Sequence, residues 1–125
     1  MRYIMIMWVF ICQSVMAHEW TPTYPVPEMS HIEDVLKVEM KLFNNRENVE
    51  YFEIGVFDED WNKVPFALQN GQVIVRAKYQ ERKFIDVYIR NKDIKSATYV
   101  CSQSKLLQED ETKPLFFSRI CSKIK

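Results

Sequence analysis

Val100-Cys101-Ser102-Gln103-Ser104-Lys105 and Ile120-Cys121-Ser122-Lys123-Ile124-Lys125 share one pattern, aliphatic-Cys-Ser-x-x-Lys. Between them runs Gln108-Glu109-Asp110-Glu111-Thr112-Lys113-Pro114, a polar insert suited to a surface loop capping two antiparallel strands. Strands that pair symmetrically about Glu111 place Cys101 directly opposite Cys121. Opposed residues on one sheet face hold their Cβ atoms about 4.5–5.5 Å apart. A non-hydrogen-bonded pair comes closer, toward the roughly 3.5–4.5 Å of a disulfide. The two stretches therefore predict a cross-strand disulfide in a C-terminal hairpin, and an antiparallel β protein built around it. The competing reading is two reduced, buried thiols in a cytosolic chain.

Working back from the hairpin, the same period of two recurs. Ile85, Val87 and Ile89 alternate with polar residues between Phe84 and Arg90, and Leu36, Val38, Met40 and Leu42 alternate with Lys37, Glu39 and Lys41. Alternation of this kind marks half-buried strands. Val49 to Phe57 reads as another, with Phe52, Ile54 and Val56 on one face. Turn chemistry separates these runs: Asn44-Asn45-Arg46-Glu47-Asn48, Asp58-Glu59-Asp60-Trp61-Asn62-Lys63, Asn70-Gly71, Tyr79-Gln80-Glu81-Arg82-Lys83 and Asn91-Lys92-Asp93. Pro65 demotes Val64-Pro65-Phe66-Ala67-Leu68 to an edge or a short strand. Val73-Ile74-Val75 completes a set of about seven strands with no helical period. The predicted fold is all-β, an immunoglobulin-like antiparallel sandwich.

The N-terminal stretch differs. Arg2 precedes an apolar run from Tyr3 to Cys12, and Val15-Met16-Ala17 supplies small residues at the −3 and −1 positions of a cleavage site. Residues 1–17 read as an export signal, because the run is shorter than the ~20 residues of a membrane span. Cleavage removes Cys12 and leaves Cys101 and Cys121 as an even pair bound for an oxidising periplasmic or extracellular compartment. Retention of the segment as an anchor is the alternative. Residues 18–31 carry Pro22, Pro25 and Pro27 and form an extended arm. Trp20, Tyr24 and Val26 either pin that arm to the domain or leave it as a docking tail. Residues 32–125 form the sandwich.

Charge is uneven. From His18 to Asp60 there are eleven acids and three bases, a net −8, whereas Trp61 to Lys125 carries six acids and thirteen bases, a net +7. The two halves either attract one another across the fold, or the late strands present a basic face to a partner. Arg76, Lys78, Arg82, Lys83 and Arg90 are the candidate partner-binding residues of that face, with Lys92 and Lys95 beside them. A protein partner or self-association is expected. The absence of a recognition module argues against nucleic acid.

The run Phe52-Glu53-Ile54-Gly55-Val56-Phe57-Asp58-Glu59-Asp60-Trp61-Asn62-Lys63-Val64-Pro65 resembles the strand–Asp-turn–strand of bacterial exported immunoglobulin-like domains. With the bend Gln80-Glu81-Arg82-Lys83 and the strand Phe84-Ile85-Asp86-Val87-Tyr88-Ile89, the order is similar to the N-terminal domain of periplasmic pilus-assembly chaperones. The resemblance implies a sandwich with a habit of strand-mediated binding.

Catalytic signatures are sparse. The chain has two histidines, His18 and His31, its serines form no nucleophile elbow, and its two glycines supply no phosphate cradle. No enzymatic activity and no cofactor are expected. The function expected is that of an exported binding or structural module acting through strand edges, with the Pro65 segment and the arm as the edges in question. The alternative is a periplasmic copper protein. Cleavage after Ala17 would expose an amino-terminal His18, with Met29 and His31 as further ligands.

Overall fold

The computed structural model describes residues 18–105 and 118–125. Two antiparallel sheets lie face to face, and the alternation read from the sequence decides which side chains lie between them. In β3 (Val35–Phe43) Val38, Met40 and Leu42 are buried while Glu39 and Lys41 are exposed. In β7 (Arg82–Arg90) Ile85, Val87 and Ile89 point inward, and in β4 (Tyr51–Phe57) Phe52, Ile54 and Val56 do so. Each such side chain contributes about 1.5–3 kcal/mol on burial.

The first sheet runs β1 (Glu19–Thr21), β3, β7, β5 (Ala67–Leu68), with β2 (Glu28–Met29) also paired to β3. The second runs β6 (Ile74–Arg76), β4, β8 (Tyr99–Lys105), β9 (Arg119–Lys123). One helical turn, α1 (Asn91–Ile94), joins β7 to β8 across the sandwich. In immunoglobulin lettering β3, β4, β7 and β8 take the central B, C, E and F positions, with the arm as A and β9 as G. The C-to-E connection departs from the usual order. After the Asp58 turn, Val64 still bonds Val56, but the chain then crosses to pair β5 with β7 and returns to pair β6 with β4. The segment containing Pro65 thus leads into an edge strand, as expected.

The C-terminal hairpin has the register its sequence implies: Cys101 opposes Cys121, and the two are joined as a disulfide with Cα atoms 4.1 Å apart. Ser104 N–H donates to Ser118 O, so alternation makes 101/121 a non-hydrogen-bonded pair, the closer kind. Residues 106–117, and residues 1–17 read above as an export signal, lie outside the described residues. Among the described residues no helix is long and apolar enough to cross a membrane.

The arm is integrated rather than free. Trp20 is buried and its Nε1–H donates to Val100 O at 3.0 Å. The carbonyls of Thr23 and Pro25 accept from the N–H groups of Lys123 and Lys125, and β2 returns to β3. Tyr24 and Val26 remain exposed.

Candidate functional site

An aromatic cluster occupies the outer face of the second sheet. Alternation sends Tyr51, Glu53, Gly55 and Phe57 of β4 outward, with Tyr99, Cys101, Gln103 and Lys105 of β8 and Arg119, Cys121 and Lys123 of β9. Phe57 and Tyr99 are cross-strand partners. Trp61 is folded back onto them by a loop that Asp58 organises. The Asp58 carboxylate accepts from the N–H groups of Asp60 and Asn62 at 2.9 and 2.8 Å, and Trp61, at φ 64°, donates its own N–H to Asp58 O. The Trp61 ring stacks on Tyr99 with centroids 4.3 Å apart and planes 3° from parallel. Arg119 reaches across β8 so that its guanidinium carbon is 4.5 Å from the Phe57 centroid and 5.0 Å from that of Trp61. Gly55 makes room: a Cβ there would stand 2.8 Å from Phe57 Cε2. Trp61 remains 50% exposed, and Arg119 and Lys123 have no carboxylate within ion-pair distance among the described residues.

A second feature is an edge that is only partly covered. Asn91 N–H donates to Asp34 O and Asn44 N–H to Glu81 O, so the odd-numbered residues of β7 bond β3. The main-chain groups of the even-numbered residues therefore face the other way. There β5 reaches only Val87 and Tyr88, leaving Phe84 and Asp86 without a strand neighbour among the described residues. Beside them a cleft of about 630 Å³ separates β7 from β6, lined by Leu68, Ile74, Val75 and Ile85 with Arg76 and Lys83 at its polar margin. Phe84 is 72% exposed.

The basic residues singled out from the sequence are dispersed over both sheets. Arg76 ends β6, pairs with Glu50 at 3.1 Å and lies over Tyr51. Lys78 sits in the following connection, Arg82 covers the Phe43 ring, and Lys83 pairs with Glu81 at 2.9 Å. Arg90 is at the far end of β7, about 27 Å from Arg82 at strand rise, and pairs with Asp93. Arg76 and Lys83 share the cleft. Arg90 instead lines an apolar hollow of about 610 Å³ with Tyr88 and Phe66.

His18 is buried between the sheets, not displayed. Its Nε2 is 2.7 Å from Ser102 Oγ, its Nδ1 is 2.9 Å from Ser118 Oγ, and its ring tilts against Phe52. Burial pulls the imidazole pKa down from 6.5 to about 4; a hydrogen bond with Ser102 opposes the fall and the charge of Arg46 adds to it. Met29 and His31 lie where β2 meets β3, at the opposite end of that strand from His18, and the exposed His31 ring meets Tyr88 edge-on. Seven residues of strand, about 23 Å, separate the two ends. Among the described residues no three of His, Cys, Asp and Glu gather as a metal site would require.

Sequence reasoning missed the Phe57–Trp61–Tyr99–Arg119 cluster, though part of it was legible. The register about Glu111 already sets Arg119 on the same sheet face as the cysteines. Comparison with known proteins finds no matching family model, no matching curated protein and no matching solved structure.

Proposed function

We propose that this domain is an exported protein-binding module that accepts an extended segment of its partner along β7. The observation that carries the reading is that Phe84 and Asp86, beside an apolar cleft, have no strand neighbour among the described residues. Unpaired edge groups of a sheet recruit another strand, which gains main-chain hydrogen bonds while alternate side chains enter pockets. Here Leu68, Ile74, Val75 and Ile85 form the apolar floor, and Arg76 and Lys83 flank it. The resemblance to strand-binding exported domains points the same way, as does a disulfide suited to an oxidising compartment.

A proline at 86 tests this cleanly. The Asp86 N–H faces away from β3, so Asp86→Pro removes an edge donor without breaking the β3–β7 ladder. A photo-crosslinking phenylalanine analogue at position 84, expressed in the native host, should trap a partner protein, and Asp86→Pro should abolish the adduct. Trapping that survives Asp86→Pro, or no adduct from a folded protein, sinks the proposal.

A further inference from the structure

We infer that the Phe57–Trp61–Tyr99–Arg119 cluster is a second docking surface, separate from the β7 edge, for a protein partner that presents an aspartate or glutamate carboxylate beside an apolar side chain. Tryptophan, tyrosine and arginine are the residue types that dominate binding energy at protein interfaces. Here all three are assembled on one sheet face and held in place before any partner arrives. Trp61 is fixed by the Asp58 loop and by stacking, Phe57 by the absence of a side chain at Gly55, and the sheet beneath by the 101–121 disulfide. Preorganisation of this kind lowers the ordering cost of association.

Charge selects the occupant. The Arg119 side chain engages two aromatic rings, yet among the described residues the N–H fork of its guanidinium has no carboxylate. Among the described residues the neighbouring acids are committed or set apart: Glu53 pairs with Lys105 at 3.0 Å, and the Asp58 carboxylate is consumed by its own loop. Glu59 and Asp60 stand exposed at the loop tip beyond ion-pair reach of Arg119. Lys123, two residues beyond Cys121 on the same face, is a second cation without an ion-pair partner among the described residues. A planar guanidinium beside exposed aromatic surface fits a carboxylate bidentately and an apolar group alongside it. The site would therefore read an acidic-plus-apolar motif.

The test is selection of a random displayed-peptide library on the immobilised, disulfide-bonded protein, followed by calorimetric titration of the recovered peptides. Expected are peptides carrying Asp or Glu next to an aliphatic or aromatic residue. Their affinity should fall at least about tenfold in Arg119→Glu and in Trp61→Ala, and less in Arg119→Lys, which keeps charge but loses the fork. It should weaken as salt rises and persist in Asp86→Pro, which separates this surface from the β7 edge. All these substitutions are at exposed positions except Asp86, and circular dichroism confirms folding of each variant. Selection of no peptide, of peptides without acids, or of peptides indifferent to Arg119→Glu overturns the inference. So does polygalacturonate binding lost in Trp61→Ala, which would assign the surface to an acidic polysaccharide. Concentration-dependent self-association abolished by Arg119→Glu would assign it to a second copy of this chain.

Discussion

Acidification should destabilise this domain through its buried histidine. His18 is neutral in its buried site because burial pulls its pKa from 6.5 to about 4, so the folded protein binds fewer protons than the unfolded chain in that window. The stability this group contributes is complete above pH 6.5 and is lost as pH falls toward 4. A tenfold change in proton affinity corresponds to about 1.4 kcal/mol. By linkage about 2 kcal/mol is lost by pH 5 and about 3 kcal/mol by pH 4. Total stabilities of such domains are about 5–15 kcal/mol, so the effect is large. Urea midpoints measured at half-unit steps from pH 7.5 to 5 read it out, in parallel with His18→Gln, which keeps polar partners for Ser102 and Ser118 without a titrating ring. The difference between the two proteins should shrink by about 2 kcal/mol across the window, because only the wild type loses stability there through this site. Parallel curves, or a His18 imidazole that titrates near 6.5 in the folded protein by NMR, would refute the reasoning.

Four further outcomes are expected. Replacing both Cys101 and Cys121 with serine opens a cross-link of sequence separation 20 and should cost about 3 kcal/mol in denaturant unfolding. Trp20→Phe removes the indole donor to the Val100 carbonyl, which keeps its ladder bond to β9, and should lower stability by about 0.5–1.5 kcal/mol in the same assay. Asn44→Ala removes an amide that donates to Val49 O and Ala77 O and accepts from Arg46 N–H, a loss of at least about 2 kcal/mol seen as a lower melting temperature. Gly55→Ala pushes the Phe57 ring off its seat and should shift Trp61 fluorescence and near-ultraviolet dichroism at a stability cost of about 1–3 kcal/mol.

What was legible in the chain was whatever depends on local periodicity. The alternation in Leu36–Leu42, Phe52–Val56 and Ile85–Ile89 gave away the buried faces, because a sheet covered on one side imposes a period of two. The matched cysteine stretches disclosed a long-range register because two cysteines must meet. The exchange of β5 and β6 between sheets was not legible: short apolar pieces such as Ala67-Leu68 carry no mark of which sheet they join. His18 was hidden by its setting in a Pro-rich arm. Yet Ser102 and Ser104 share inward parity with Val100, and buried hydroxyls between the sheets demand a polar partner. Ser102 found one in His18. Trp61 was read as a turn residue, which it is. Its return onto Tyr99 follows from the Asp58 loop and its left-handed backbone, which alternation does not encode.

The edges of the two sheets can be compared on equal terms, and the comparison narrows where a strand can add. The arm edge of the first sheet carries Pro22, Pro25 and Pro27, each lacking the donor that a new strand would use. The β9 edge is already engaged where Lys123 and Lys125 bond Thr23 and Pro25. On the other side of the second sheet, β6 covers only Tyr51–Glu53 of β4, but Val73 O takes the Ile54 N–H, Val56 O accepts from Val64, and Phe57 bridges Lys63, so β4 is closed along its length. β6 itself offers three residues. Among the described residues, β7 alone combines a nine-residue strand, fully laddered to β3, with outward main-chain groups at Phe84 and Asp86 that have no strand neighbour. Bare edges of that kind invite indiscriminate pairing unless charge discourages it. Arg82 and Asp86 on the strand, with Lys83 and Arg76 at the cleft, supply both signs of charge there. An incoming segment must match those charges as well as the backbone, and that requirement separates a selective acceptor from an aggregation site.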